Sequence, residues 1–189
     1  MGMTVQRRKD SKTPRVFVHK IADIRGGVSV NVTELGSDFL FEGAVLSAPV
    51  NGICHEVKTA EVGAAVTATG KSVKVKKGHQ FKVGDIAMIG EGAKASAITD
   101  IDKTASDFDT ITLTATLGAI SVGGFLIEAA AASDSTESAL KYTPLAVNGT
   151  GKPIRQGQNL DTDAWVIGVT KGNALPECIS NKLKGIINY

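Results

Sequence analysis

Aromatic side chains are scarce, at 5% of 189 residues. A core therefore has to be built from Val, Ile, Leu and Ala, and a sugar-binding platform of stacked rings has little to draw on. Cysteine is scarcer still. Cys54 and Cys178 stand far apart and outside any metal-ligand spacing. That excludes a disulfide framework and a zinc site and leaves two buried free thiols as the expectation. No apolar run approaches the ~18 residues of a membrane-crossing helix, so membrane insertion is not expected. Nor does the start of the chain carry an apolar stretch between its basic residues and Pro14, so no secretory signal is expected and synthesis is assigned to the cytoplasm.

Charge of one sign is also in short supply: 21 Lys and Arg face 19 Asp and Glu, for a net charge of +2. This gives no whole-chain case for binding nucleic acid or an acidic membrane. The distribution is uneven, however. Within residues 1–20 six basic side chains (Arg7, Arg8, Lys9, Lys12, Arg15 and Lys20) meet only Asp10, so this segment carries +5 and the remainder −3. The pattern is a basic arm on a mildly acidic body.

What the chain does have is glycine, 21 residues of it, and 42% hydrophobic side chains, enough for a core without metal or disulfide staples. Apolar positions alternate in Val28-Ser29-Val30-Asn31-Val32, Val73-Lys74-Val75-Lys76 and Thr110-Ile111-Thr112-Leu113-Thr114, as strands require because successive side chains point to opposite faces. Further strands are expected at 54–58, 86–89, 97–101, 125–129 and 164–170. Gly26-Gly27, Asn51-Gly52, Lys77-Gly78, Gly84-Asp85, Gly123-Gly124 and Asn148-Gly149 punctuate these runs, offering the positive φ of tight turns. Helical spacing is confined to Ile179, Leu183 and Ile186 behind Pro176, which predicts one short helix over 176–185. The fold expected is mainly β: small β-sandwich or barrel units with an extended N-terminal arm and a short C-terminal helix. Residues 1–20 would form the arm, 21–132 the main β domain and 133–189 a C-terminal β unit, with the polar stretch 133–138 between the last two.

Motifs that carry chemistry fail on context. Ala65 to Ser72 lacks only the first Gly of a phosphate-binding loop, yet Ser72 leads into a strand pattern and not into the helix whose amides would cradle phosphate. Gly90-Glu91-Gly92-Ala93-Lys94-Ala95 imitates a dinucleotide fingerprint but also precedes a strand pattern. His19, His55 and His79 are scattered, and a Cys54–His79 nucleophile lacks any local motif. Asp100/Asp102 and Asp107/Asp109 lack the turn Gly and terminal Glu of a calcium loop and read as hairpin turn residues. Trp165, among apolar neighbours, reads as a core or interface anchor. No cofactor or metal is expected.

The run Lys76-Lys77-Gly78-His79-Gln80-Phe81-Lys82-Val83-Gly84-Asp85 resembles the hallmark of a head-fibre and capsid-decoration family of tailed bacteriophages. Ala97 to Asp102 followed by Phe108 to Leu113 and Leu117-Gly118 resembles that family's central hairpin. The stretch 164–171 with Leu175-Pro176 and Leu183-Lys184 resembles its closing strand and helix. The similar segments span roughly 57–130 and 142–189.

The resemblance implies a non-enzymatic structural virion protein, a head-fibre or decoration subunit on the outer capsid surface after synthesis in the host cytoplasm. Its partners would be the major capsid protein and copies of itself, as a homotrimer or homodimer. The basic arm is the expected capsid anchor, with Arg7, Arg8, Lys9, Lys12 and Arg15 pairing with acidic grooves between capsomers. Two alternatives stand beside it: an adhesin binding a host-surface glycan, and an internal capsid protein whose arm contacts DNA.

Overall fold

The computed structural model describes residues 15–135, 137–155 and 157–189. In chain order its elements are β1 (Phe17–Asp23), β2 (Val28–Val30), β3 (Phe39–Leu40), β4 (Val45–Ser47), β5 (Thr59–Glu61), β6 (Ser72–Lys76), β7 (Ile86–Met88), β8 (Ala95–Asp102), β9 (Phe108–Leu113), β10 (Phe125–Glu128), β11 (Pro144–Asn148), β12 (Lys152–Pro153), β13 (Leu160–Thr162), β14 (Ala164–Thr170), α1 (Glu177–Ser180) and β15 (Ile186–Asn188). The chain is mainly β, as its alternating patterns predict.

Residues 59–128 form a barrel. Six strands run in the order β5-β10-β7-β8-β9-β6, and the two end strands meet through a Val62–Val75 bridge and a Gly63 N–H bond to the Lys74 carbonyl at 2.9 Å. Closure removes the free edges that an open sheet would offer for aggregation. Alternation fills the interior: in β6 Val73 and Val75 are buried between exposed Ser72, Lys74 and Lys76, and in β9 Ile111 and Leu113 point inward. Phe81, Ile98, Leu126 and Val62 complete that core.

The rest of the chain makes a second body from both flanks of the barrel. Its main sheet orders β1-β14-β11-β4, with β15 parallel to β14; β2 pairs with β13 and β3 with β12. Strand pairing groups the segments before the barrel with those after it, across the boundaries expected at residues 20/21 and 132/133. Residues 17–20, expected in the arm, lie in β1 against β14. The strand is hard to see in sequence because three register shifts break its alternation, and its polar edge residues His19 and Lys20 are exposed.

Three smaller differences have clear causes. Segment 54–58 makes only isolated bridges, from Cys54 to Val30 and from Glu56 to Leu46, because it crosses between strands of different sheets. The C-terminal helix is present but stops at Ser180. Gly185 must then pass so close to the Val166 carbonyl that a Cβ there would collide with it, and β15 follows directly. Gly149 needs no positive φ; it is glycine because Trp165 and Asp163 occupy the place of a Cβ.

A shared core joins the bodies: Met88, Ala95 and Ile127 of the barrel pack with Val45, Val147, Ile179 and Leu183. Among the described residues no helix is long and apolar enough to cross a membrane.

Candidate functional site

The seam between barrel and sheet body holds most of the buried charge, and the run 76–85 builds it. Gly78 turns the chain at φ +91° and delivers His79, Gln80 and Phe81 inward. Phe81 is fully buried in the barrel core. Gln80 reaches across the seam: its Nε2 donates to the Phe39 carbonyl at 2.7 Å, and its Oε1 accepts from Ser37 N–H at 3.0 Å. Lys82 Nζ donates to the Thr33 carbonyl at 2.6 Å. The run 76–85 is thus a clasp between the two bodies.

Asp85 ends that clasp and accepts from the Lys58 ammonium at 2.6 Å. Lys58 is wholly buried, and its second partner is Glu128 Oε1 at 3.2 Å. Glu128 Oε1 also takes Lys141 Nζ at 2.9 Å. Glu34 accepts from Tyr142 Oη at 2.8 Å and lies 3.1 Å from His55 Nδ1. The His55 and Tyr142 rings stack 4.2 Å apart. Burial works to raise the Glu34 carboxyl, but Tyr142, His55 and Lys141 outweigh it and hold the group below its ordinary value. Tyr142 is pushed above the usual phenol range by burial and by the same carboxylate. These groups neutralise one another, which is how buried charge is tolerated.

Glu56 is the exception. It is 9% exposed, its Oε2, like that of Glu128, has no hydrogen-bond partner among the described residues, but unlike Glu128 it has no ion pair among them, and burial pushes its carboxyl up to about 8. It lines a cleft of about 260 Å³ along the seam with Phe41, Glu42, Lys77, Asn173 and Leu175. The cleft continues into a second one of similar size past Thr59, Gly78 and Ala174 towards Glu61 and His79.

A second surface lies where the arm would begin. Of the expected anchor residues, Arg7, Arg8, Lys9 and Lys12 lie outside the described residues, and Arg15 is exposed. Arg15 borders a depression of about 480 Å³ with His19, Lys20, Glu42 and Thr150. Glu42 Oε1 accepts from the amides of Val16 and Phe17 at 3.0 and 2.8 Å, fixing the entry of β1. Lys20 lies over the Trp165 ring at 5.2 Å and donates to the Gly149 carbonyl at 2.6 Å. Trp165 donates Nε1 to Asp163 at 2.7 Å. It is half-buried and serves as an anchor for the β1 edge. On the same sheet Ile167, Val169 and Ile187 share a face through the β14–β15 register. Ile187 and Tyr189 are 64% and 65% exposed, with Ile21 at 65% on neighbouring β1.

The remaining sequence candidates are placed apart. Gly70-Lys71 joins the turn at Ala68-Thr69 to β6, and Gly90 to Lys94 forms a turn into β8. Cys54 packs with Val30 and Leu46, where burial raises its thiol; Cys178 is half-buried. His79 lies instead beside Asp109, Nε2 to Oδ2 3.2 Å, although poorly aligned for a hydrogen bond, and burial lowers it. A protonated thiol in a separate core does not make a nucleophile with that histidine. Asp102 caps Thr104 N–H at 2.9 Å, and Asp109 is buried and takes Lys77 Nζ at 2.7 Å. Among the described residues no group of three or more His, Cys, Asp or Glu side chains is arranged to hold a metal ion.

Lys58, Asp85, Glu128 and Glu56 escaped the sequence reading because a buried charge on a strand leaves the same mark as an exposed one. Comparison with protein-family models, curated proteins and solved structures finds no match to this chain.

Proposed function

We propose that the chain is a structural virion protein, a head-fibre or decoration subunit attached to the outer surface of a phage capsid. The observation that carries this reading is the joining of the basic segment to β1. The residues before β1, with five Lys and Arg against Asp10 alone, lead straight into an edge strand whose entry is clamped by Glu42. An anchor fixed to a rigid sheet in this way transmits its hold to the folded body. Arg7, Arg8, Lys9, Lys12 and Arg15 then act on acidic grooves of the major capsid protein, where guanidinium groups make bidentate contacts with carboxylates.

The exposed apolar side chains Ile167, Ile187 and Tyr189 of this sheet, with Ile21 on neighbouring β1, support self-association in the same reading. A dimer or trimer multiplies weak single-site contacts through effective concentration.

Deleting residues 1–14 tests the anchor. The truncated protein stays folded and loses attachment to capsids that lack the native subunit. Undiminished attachment would move the contact to the body.

A further inference from the structure

The seam contains one carboxyl group that its own charges do not serve. Lys58 is committed to Asp85 and Glu128, and Lys141 to Glu128. Lys77 on the cleft wall is committed to Asp109. Glu56 precedes Lys58 by two residues, its Oε2 buried without a partner among the described residues, while the residue lines an open cleft. Two ammonium groups already face three carboxylates in Glu34, Asp85 and Glu128, so a fourth carboxylate there lacks a counter-ion.

The cleft offers what a compact cation on an apolar stem needs. Its walls include Phe41, Val45, Val57 and Leu175. Asn173 donates its Nδ2 to the Gly43 carbonyl at 3.0 Å, which leaves its Oδ1 as an acceptor. Glu42 lies on the same wall with one carboxylate oxygen engaged by backbone amides. Glu56, Asn173 and Glu42 thus supply three acceptors, the number of N–H donors on a primary ammonium.

We infer that this cleft is a binding site for an alkylammonium group, a primary amine on a short apolar stem, received by Glu56 with Asn173 and Glu42 at its rim. The group could reach the cleft as a free amine or as a lysine side chain of a protein partner. Neither source depends on capsid attachment.

Binding is linked to a proton. Burial and Glu128 hold the Glu56 acid neutral up to about 8 against the pull of Lys58. An entering ammonium favours the carboxylate, so the proton leaves to solvent as the cation arrives. Affinity climbs about tenfold for each pH unit below that value and levels off above it, while the amine itself stays protonated to about pH 10.

The test is a titration of the ¹⁵N-labelled full chain with n-butylamine, with lysine blocked at both ends, and with n-butanol as the uncharged control. Saturable amide shifts at Gly43, Thr59, Gly78 and Ala174 are expected with both amines and not with the alcohol. Tighter binding of blocked lysine identifies a peptide side chain as the source, and equal binding a free amine. Glu56→Gln replaces a neutral acid by a neutral amide and removes the response; Ala174→Phe, at an exposed position on the cleft wall, blocks it without touching the carboxyl. Absence of saturable shifts across the pH range, or unchanged affinity in both variants, would overturn the assignment.

Discussion

The ammonium of Lys58 sits 2.6 Å from Asp85 Oδ2, wholly buried, where the barrel meets the sheet body. This pair ties the start of β5 to the end of the run 76–85. Removing one partner leaves the other charge buried without compensation, a defect that typically costs about 3–5 kcal/mol. Lys58→Met keeps the stem and deletes the charge, so the urea midpoint of unfolding is expected to fall steeply. A loss below about 1 kcal/mol would place the pair among interactions that contribute little.

Glu56 gives the stability a pH signature. Its folded-state value is raised from 4.5 to about 8, so the unfolded chain releases a proton that the folded chain retains. The stabilisation is complete below the unfolded value, declines as pH rises between the two, and is gone above the folded one. Denaturation of the parent chain and of Glu56→Gln from acid to alkaline pH checks this. The variant gains on the parent across that window, and parallel curves would remove Glu56 as the cause.

Gly149 is expected to refuse a methyl group. A Cβ there would meet Trp165 and Asp163 side by side, and overpacking of this kind costs roughly 1–3 kcal/mol. Gly149→Ala lowers the melting temperature and loosens β1, whose Lys20 bonds to that residue's carbonyl. Gly52→Ala costs less, about 1 kcal/mol, because the space is open and only the φ of +82° is strained. The ranking of the two melting temperatures decides between steric and conformational causes.

Ile187 tests the self-association reading. It is 64% exposed on β15, where its backbone pairs with Val169. Ile187→Asp is expected to leave the fold intact and to abolish dimers or trimers in sedimentation. An unchanged oligomer would move the contact elsewhere, and a monomeric parent would end the self-association reading.

Two barrel strands, β6 and β9, are legible in the sequence because successive side chains of a strand alternate between interior and solvent. Val73 and Val75 alternate with lysines, Ile111 and Leu113 with threonines, and each set points inward as expected. Asn51-Gly52 also reads correctly: both residues have positive φ between the paired Val50 and Ile53. The sheet body is less legible because its strands pair across the whole barrel insertion, as Phe17 does with Thr170, and no local pattern records a partner that distant. The run 76–85 is visible as a motif, yet its work as a clasp depends on Phe39, Thr33 and Lys58, which the sequence does not connect to it. Buried charges were hidden for a different reason. Glu56 and Lys58 occupy alternate positions and look like the wet side of a strand, whereas the second body covers that side.

Attachment to the outside of a capsid is measured most directly by co-sedimenting the purified full-length protein with particles that lack it and imaging the decorated particles by electron cryo-microscopy. Saturable binding, with ordered density on the outer surface contacted by the basic N-terminal segment, is the predicted result. Failure to co-sediment, or density confined to the interior, would contradict the account.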